Sequence, residues 1–311
     1  MRRMRSFMAV TEIAGACALL AALVACARTS TSYRTFSTPE EAVHALTEAV
    51  KAPGTDQLLT IFGPDAQELI DTSDPAGRRA REVFTVAVAE RWRLEDRGPD
   101  SKTLVIGNED WPFPIPITRD ANGWRFDTAK GKDEVLTRRI GRNELAAIRI
   151  ARTYVAAQRI YARRPHDGRP AGLYATTFRS DPGRENGLYW AAKRGEKRSP
   201  LGDLVAQAAE EGTRLGRDGQ TPSPFHGYYF RILTAQGAAA EGGAKDYVVN
   251  GEMRGGFALV AWPAQYNVTG ITTFVVNQDG VLREKDLGPD TDTTARAMKL
   301  YNADESWDPV P

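Results

Sequence analysis

Sulfur and imidazole are scarce in this chain. Its 311 residues include two cysteines and three histidines, which excludes a disulfide scaffold and any multi-cysteine metal site. Surplus charge is missing as well. Forty-one Lys+Arg stand against 40 Asp+Glu, without the basic excess of a general polyanion binder, so no nucleic-acid partner is expected. No apolar run reaches the ~20 residues that span a bilayer core. There is no Gly-x-Ser-x-Gly elbow, no Walker-type phosphate loop, no Gly-x-Gly-x-x-Gly and no His-Glu-x-x-His. His44, His166 and His226 lie far apart with no i, i+3 or i, i+4 partner, which argues against a histidine metal site. Neither metal nor cofactor is expected. What remains, 26% charged and 41% hydrophobic, is a globular composition, long enough for one large domain or two smaller ones.

The first residues read as an address. Arg2, Arg3 and Arg5 precede an apolar run over 13–24, ending in Leu23-Val24-Ala25-Cys26. Twelve apolar residues suit the core of a signal peptide. The ending resembles a bacterial lipobox, in which the leader (1–25) is cut away and Cys26 takes a diacylglycerol. An ordinary secretory signal with an incidental Cys26 is the other reading. Loss of residues 1–25 removes three Arg and one Glu, turning the formal charge from +1 to −1, and takes Cys17 with it. The expectation is a protein of the bacterial cell envelope facing the periplasm, anchored to a membrane through Cys26. Ala27, rather than Asp, after the cysteine favours the outer membrane. Residues 26–35 read as a polar tether.

Beyond the tether, pattern and punctuation indicate α+β organisation in two parts. Thr38-Pro39-Glu40-Glu41 is a helix start with a capping box. Helices are expected to about residue 50, over 56–62, over 65–70 and over 75–90. Strands follow around 104–106 and 115–117, with Asn122-Gly123 turning a hairpin. This first domain, 36–137, has the order of a cone-shaped fold of the nuclear-transport-factor-2 kind. A second domain, 138–311, repeats helices followed by an antiparallel sheet. A helix is expected to begin at Asn143 and run to about 163, with another over 201–211. Strands are expected over 227–234, 247–250, 255–262, 271–277 and 281–285, and a closing helix over 291–301.

Seven blocks carry a resemblance: Phe36-Ser-Thr-Pro-Glu-Glu-Ala42, Asp110-Trp-Pro-Phe-Pro-Ile-Pro116, Gly123-Trp-Arg-Phe-Asp127, Arg138-Arg-Ile-Gly-Arg-Asn-Glu-Leu145, Gly227-Tyr-Tyr-Phe-Arg-Ile-Leu-Thr-Ala-Gln-Gly237, Gly255-Gly-Phe-Ala-Leu-Val260 and Lys285-Asp-Leu-Gly-Pro-Asp-Thr291. Together they resemble an uncharacterised bacterial family, domain-of-unknown-function family 2950. The resemblance implies an exported envelope protein and brings no activity or catalytic residue. The chain departs from the family at Arg164-Pro-His-Asp-Gly-Arg-Pro170, where many relatives have an acidic Asp/Gly repeat suited to calcium. One carboxylate between cations does not fit that ion. The second half is also similar to the heads of type IV pilins and type II secretion pseudopilins. It follows their order of Asn-Glu helix, variable loop and sheet, and implies the head fold without the polymerising helix.

Few residues invite a functional reading. In Trp111-Pro112-Phe113-Pro114-Ile115-Pro116, alternate prolines hold an extended backbone and set Trp111, Phe113, Ile115 and Ile117 on one side. They form either the wall of a binding groove, with Asp110 and Arg119 at its ends, or an edge strand lying on a core. Arg149, Arg152, Arg159 and Arg163 make a stripe along the long helix, either a surface for anions or acidic partners or a solvated face. Asn277, Asp279, Asp286 and Asp290 are what turns require, and Tyr228, Tyr229, Phe230 and Trp262 suit sheet packing. The function this supports is a non-catalytic envelope lipoprotein that binds or scaffolds, with an envelope protein as partner and no oligomeric state assigned. The alternative is a small-molecule-binding protein or weak hydrolase using a cavity in the first domain. The alternative predicts a deep pocket containing carboxylates of raised pKa near Trp111; the scaffold predicts a shallow site and an exposed apolar patch.

Overall fold

Thr38 opens the first helix. Its hydroxyl accepts from the Glu41 amide at 3.2 Å, and the Glu41 carboxylate accepts from the Ser37 amide at 2.9 Å. This reciprocal cap starts α1 (Pro39–Lys51), whose Ala42, Val43, Leu46, Ala49 and Val50 share a buried face. The computed structural model describes residues 33–310 except 68, 71–74, 193–197 and 206–222. The expected leader, Cys26 and the expected tether up to residue 32 therefore lie outside the described residues. Tyr33 and Arg34, read as tether, are held against the body: the Tyr33 hydroxyl donates to Asp65 at 2.7 Å, and the Arg34 amide donates to the Thr60 carbonyl at 3.2 Å.

α2 (Asp56–Phe62) and α3 (Pro75–Glu90) follow. The expected helical piece over 65–70 is corrected to a single 3-10 turn, Pro64–Ala66, entered through Gly63 at φ 79°. A five-stranded antiparallel sheet comes next: β1 (Trp92–Gly98), β2 (Ser101–Ile106), β3 (Trp111–Pro112), β4 (Ile117–Asp120) and β5 (Gly123–Phe126). Its order is β1-β2-β4-β5, with β3 pairing onto β2. β1 was not expected. Its sequence, Trp-Arg-Leu-Glu-Asp-Arg-Gly, has only Trp92 and Leu94 as apolar signal, and β2 supplies the pairing that its side chains do not advertise.

The expected helix start at Asn143 is also corrected. α4 runs unbroken from Thr128 to Ala162, 35 residues, passing through 137 and 138, where the sequence reading joins two domains. Asp127 caps it by accepting from the Lys130 amide at 3.3 Å, and the Thr128 hydroxyl donates to the Phe62 carbonyl at 2.6 Å. Asn143 and Glu144 are buried or half-buried inside the helix, and they hold a loop. The Asn143 amide donates to the Thr269 carbonyl at 2.9 Å, while Glu144 accepts from the Ile271 and Thr272 amides, each at 3.0 Å. Gly131 lets the helix lie against Ile115: a Cβ there would stand 2.7 Å from the Ile115 Cα.

The second sheet has β6 (Tyr228–Leu233), β11 (Ala258–Pro263), β12 (Thr272–Asn277), β13 (Arg283–Asp286) and β14 (Asp308–Pro309), ordered β14-β13-β12-β11-β6 and antiparallel throughout. Two small ribbons pair β7 (Ala235–Gln236) with β8 (Lys245–Asp246) and β9 (Val248–Val249) with β10 (Glu252–Met253). α4 packs on β11 and β12. All six β11 residues are buried, as expected for a strand covered on both faces. α5 (Thr291–Ala297) ends short of the expected residue 301; Tyr301 instead bridges to Gln236. Of the helix expected over 201–211, residues 202–205 are helical and the rest lie outside the described residues.

The molecule is thus α+β, with one apolar core under the first sheet and a larger one between α4 and the second sheet. Full burial of side chains such as Phe126 and Phe274 contributes about 1.5–3 kcal/mol each. Among the described residues, no helix is long and apolar enough to cross a membrane.

Candidate functional site

Among the described residues, the first core leaves an opening on one side. Where α1, α2, α3, β3 and α4 meet, a cleft of about 510 Å³ remains, within the ~300–1,000 Å³ usual for small-molecule sites. Leu46 and Val50 come from α1, Leu58 and Phe62 from α2, Phe84 from α3 and Val135 from α4.

Its wall is the proline-alternating segment. β3 ends at Pro112, and the Phe113 amide reaches the Leu104 carbonyl at 2.7 Å. From there the chain descends into the core: Trp111 is 42% exposed, Phe113 half-buried, and Ile115 and Ile117 are 5% and 0% exposed. Trp111 and Phe113 line the cleft, while Ile115 and Ile117 belong to the core. The Phe113 ring is 5.5 Å from Phe84, 6.0 Å from Phe126, and 6.2 Å from both Phe62 and Trp111. This aromatic cluster fixes the wall's position.

Five arginines complete the lining, Arg78 and Arg81 from α3 and Arg138, Arg139 and Arg142 from α4. Backbone carbonyls orient three of them. Arg138 donates to Pro112 at 2.7 Å, Arg139 to Leu69 at 2.9 Å and Arg81 to Gly54 at 3.0 Å. Arg138 also pairs with Glu134 at 2.6 Å and lies 5.1 Å from the Trp111 ring centre. Arg138 is thus held by both a carbonyl and a carboxylate, whereas carbonyls orient Arg81 and Arg139. The described lining residues include no carboxylate, so the cleft joins an apolar floor to a cationic rim. Planar guanidinium groups in that setting recognise carboxylate or phosphate through paired hydrogen bonds.

The other sequence candidates scatter. Asp110, at φ 51°, is exposed and pairs with Arg91 and Arg93. The hydrogen bond from Arg93 leads the effects that hold its carboxyl below the usual carboxylate range. Arg119 is on β4 opposite Trp124, 6.0 Å from that ring. Along the stripe, Arg149 lines a neighbouring cleft, Arg152 is exposed, and Arg159 donates to the Gln278 and Asp279 carbonyls at 3.0 and 3.4 Å. Arg163 is exposed and caps the end of α4. Sequence reasoning passed over the arginines of the cleft. Their signal was two similar clusters, Arg78-Arg79-Ala80-Arg81 and Arg138-Arg139-Ile140-Gly141-Arg142, on helices separated by a sheet.

Residues 33–310 match the family described as protein of unknown function, DUF2950. The chain belongs to that family. No curated protein and no solved structure matches it. In this DUF2950 protein, three or more potential metal-ligating side chains do not converge anywhere among the described residues. His44 packs edge-on to Trp92, His166 lies between Glu185 and the Tyr161 carbonyl at 3.0 Å from each, and His226 borders the neighbouring cleft. Asp167, in the segment that departs from the relatives' acidic repeat, accepts from Arg184 and the Glu185 amide. The turn acids act locally: Asp279 accepts from Asn277 at 2.8 Å, and Asp286 accepts from the Gly288 amide at 2.8 Å. Tyr228 and Trp262 are core. Among the described residues, the carboxyl pushed up is that of Glu284 on β13, chiefly by burial, with Glu144 and Asp308 adding repulsion.

Proposed function

We propose that this DUF2950 protein is a non-catalytic lipoprotein of the bacterial cell envelope, anchored through Cys26 and facing the periplasm, that binds an amphipathic organic anion in the arginine-lined cleft. The observation that carries the reading is the pairing of an apolar floor with five arginines and no carboxylate among the described lining residues. A weak hydrolase in the same place calls for a carboxylate of raised pKa beside Trp111. Asp110 has the opposite character, held low by its arginine partners, so binding is favoured over turnover. The anchor rests on the lipobox-like Leu23-Val24-Ala25-Cys26. The likeness of the second half to pilin heads stays a fold-level proposal, supported by a long helix lying on β11 and β12 after which a long loop leads to the sheet.

A scaffolding role with an envelope protein is the second reading. Val83 and Val86 of α3 favour it, standing 58% and 62% exposed. Calorimetric titration of the full chain with decyl phosphate separates the two. Binding that weakens at least about tenfold in the Arg138→Ala/Arg139→Ala double variant supports the cleft. No binding, together with a stoichiometric protein retained on gentle isolation from the envelope, replaces it with the scaffold. Incorporation of labelled palmitate, lost in Cys26→Ser, checks the anchor.

A further inference from the structure

A second cleft, about 600 Å³, lies on the other side of Trp111. Its apolar surface comes from Val83 and Ala87 of α3, Ile106 of β2 and Ala146 of α4, with Arg149 at its border. Ala80, Phe84, Trp111 and Arg142 line both clefts. The clefts therefore meet along one ridge, made by the Phe84 and Trp111 rings, with a guanidinium at the junction. Trp111 is 42% exposed although it packs against Phe113 and Arg138, so the ridge presents a large apolar edge to solvent between two apolar hollows.

We propose that the two clefts are the lobes of one site for an anionic amphiphile with two apolar chains, its phosphate or carboxylate head on Arg142 and Arg138 and one chain in each lobe. This rests on the reading of the first cleft as an anion-binding site and adds the shape of the ligand. A single-chain anion fills one lobe and leaves the other side of the ridge wet. Two chains on one head cover both sides, and once the first is seated the second enters at high effective concentration. The positive charge gathers at the junction: Arg142 serves both lobes and Arg138, paired with Glu134, is fixed over Trp111, while Arg79 and Arg149 stand with Glu90 and Glu109 in the second lobe.

The test compares dioctanoyl phosphatidylglycerol with octanoyl lysophosphatidylglycerol, both below their micelle-forming concentrations, by native mass spectrometry and calorimetry on the full chain. The expected result is one two-chain lipid per protein, bound at least about tenfold more tightly than the single-chain lipid. Val83→Asp puts a carboxylate in the second lobe at an exposed position and is expected to bring the two-chain affinity down to the single-chain value. A diazirine at the chain ends is expected to label peptides from both lobes. Equal affinity for the two lipids, labelling confined to the first lobe, or two single-chain lipids bound independently overturns the two-lobed site while leaving the first cleft as a binding site. Failure of both lipids to bind removes the anion-binding reading itself. Displacement of bound lipid by a stoichiometric envelope protein assigns the ridge to that protein and overturns the proposal.

Discussion

The two cores use the same residue types to different ends. In the second, arginine and aromatic side chains are spent on closure. Arg231 donates to the carbonyls of Ala295 and Arg296 at 2.6 and 2.7 Å and also to Met298, tying off the end of α5, while Arg296 bonds to Asp292 beside the Tyr229 and Trp262 rings. Gln158 satisfies both directions of its amide inside the core, donating to Ala175 and Tyr154 and accepting from Ala175. In the first, arginines are likewise held by carbonyls, yet they ring a gap in the packing. The same kind of contact, a guanidinium on a backbone carbonyl, closes a filled core in one place and lines a cleft in the other.

Core truncation is where the contrast should be largest. Phe257 is fully buried, with ring neighbours Tyr174 at 4.8 Å and Tyr154 at 5.6 Å. Phe257→Ala is expected to cost about 3–5 kcal/mol, read as a lower urea midpoint, because nothing in that core can move in to fill the space. Trp111→Ala sharpens the comparison from the other side. At 42% exposure its loss is expected to lower stability by less than about 1.5 kcal/mol, yet to weaken anion binding about tenfold. If its urea midpoint falls as far as that of Phe257→Ala, the first core is as closed as the second.

Glu284→Gln gives the smallest effect and the one with a pH signature. The folded-state pKa of Glu284 is raised above 4.5. Between 4.5 and that raised value the folded chain holds the proton more firmly than the unfolded one, so this group's contribution to stability falls as pH rises. Glu284→Gln is therefore expected to melt higher than the parent at pH 7, with the difference vanishing below about pH 4.5. A melting difference independent of pH removes the electrostatic explanation.

How much of this was legible depended on where the signal sits. α1 could be read from Thr38, Pro39 and Glu41 because a cap is written in four adjacent residues. Asp279 reads as a turn residue, and it stands between β12 and β13 beside Gly280, which takes φ 85°. β1 could not, since its charged side chains face solvent and its stability comes from β2. Asn143 looked like a cap because Asn is common there, while its partner, Thr269, lies 126 residues away. The cleft had half a signature. Trp111 and Phe113 stand out locally, whereas the arginines acquire meaning only when α3 and α4 come together across the sheet.

The unbroken course of α4 has a consequence for how the sequence can drift. Its 35 residues make a rod roughly 52 Å long. Arg138, Arg139 and Arg142 face the cleft from one stretch of it, and Asn143 and Glu144, the very next residues, grip the loop at 269–272. An insertion or deletion of one residue at Gly141 would turn Arg138 and Arg139 by about 100° against Arg142, Asn143 and Glu144. The two halves of the protein are thereby kept in phase: length changes can accumulate in the loops, but α4 has to keep its count.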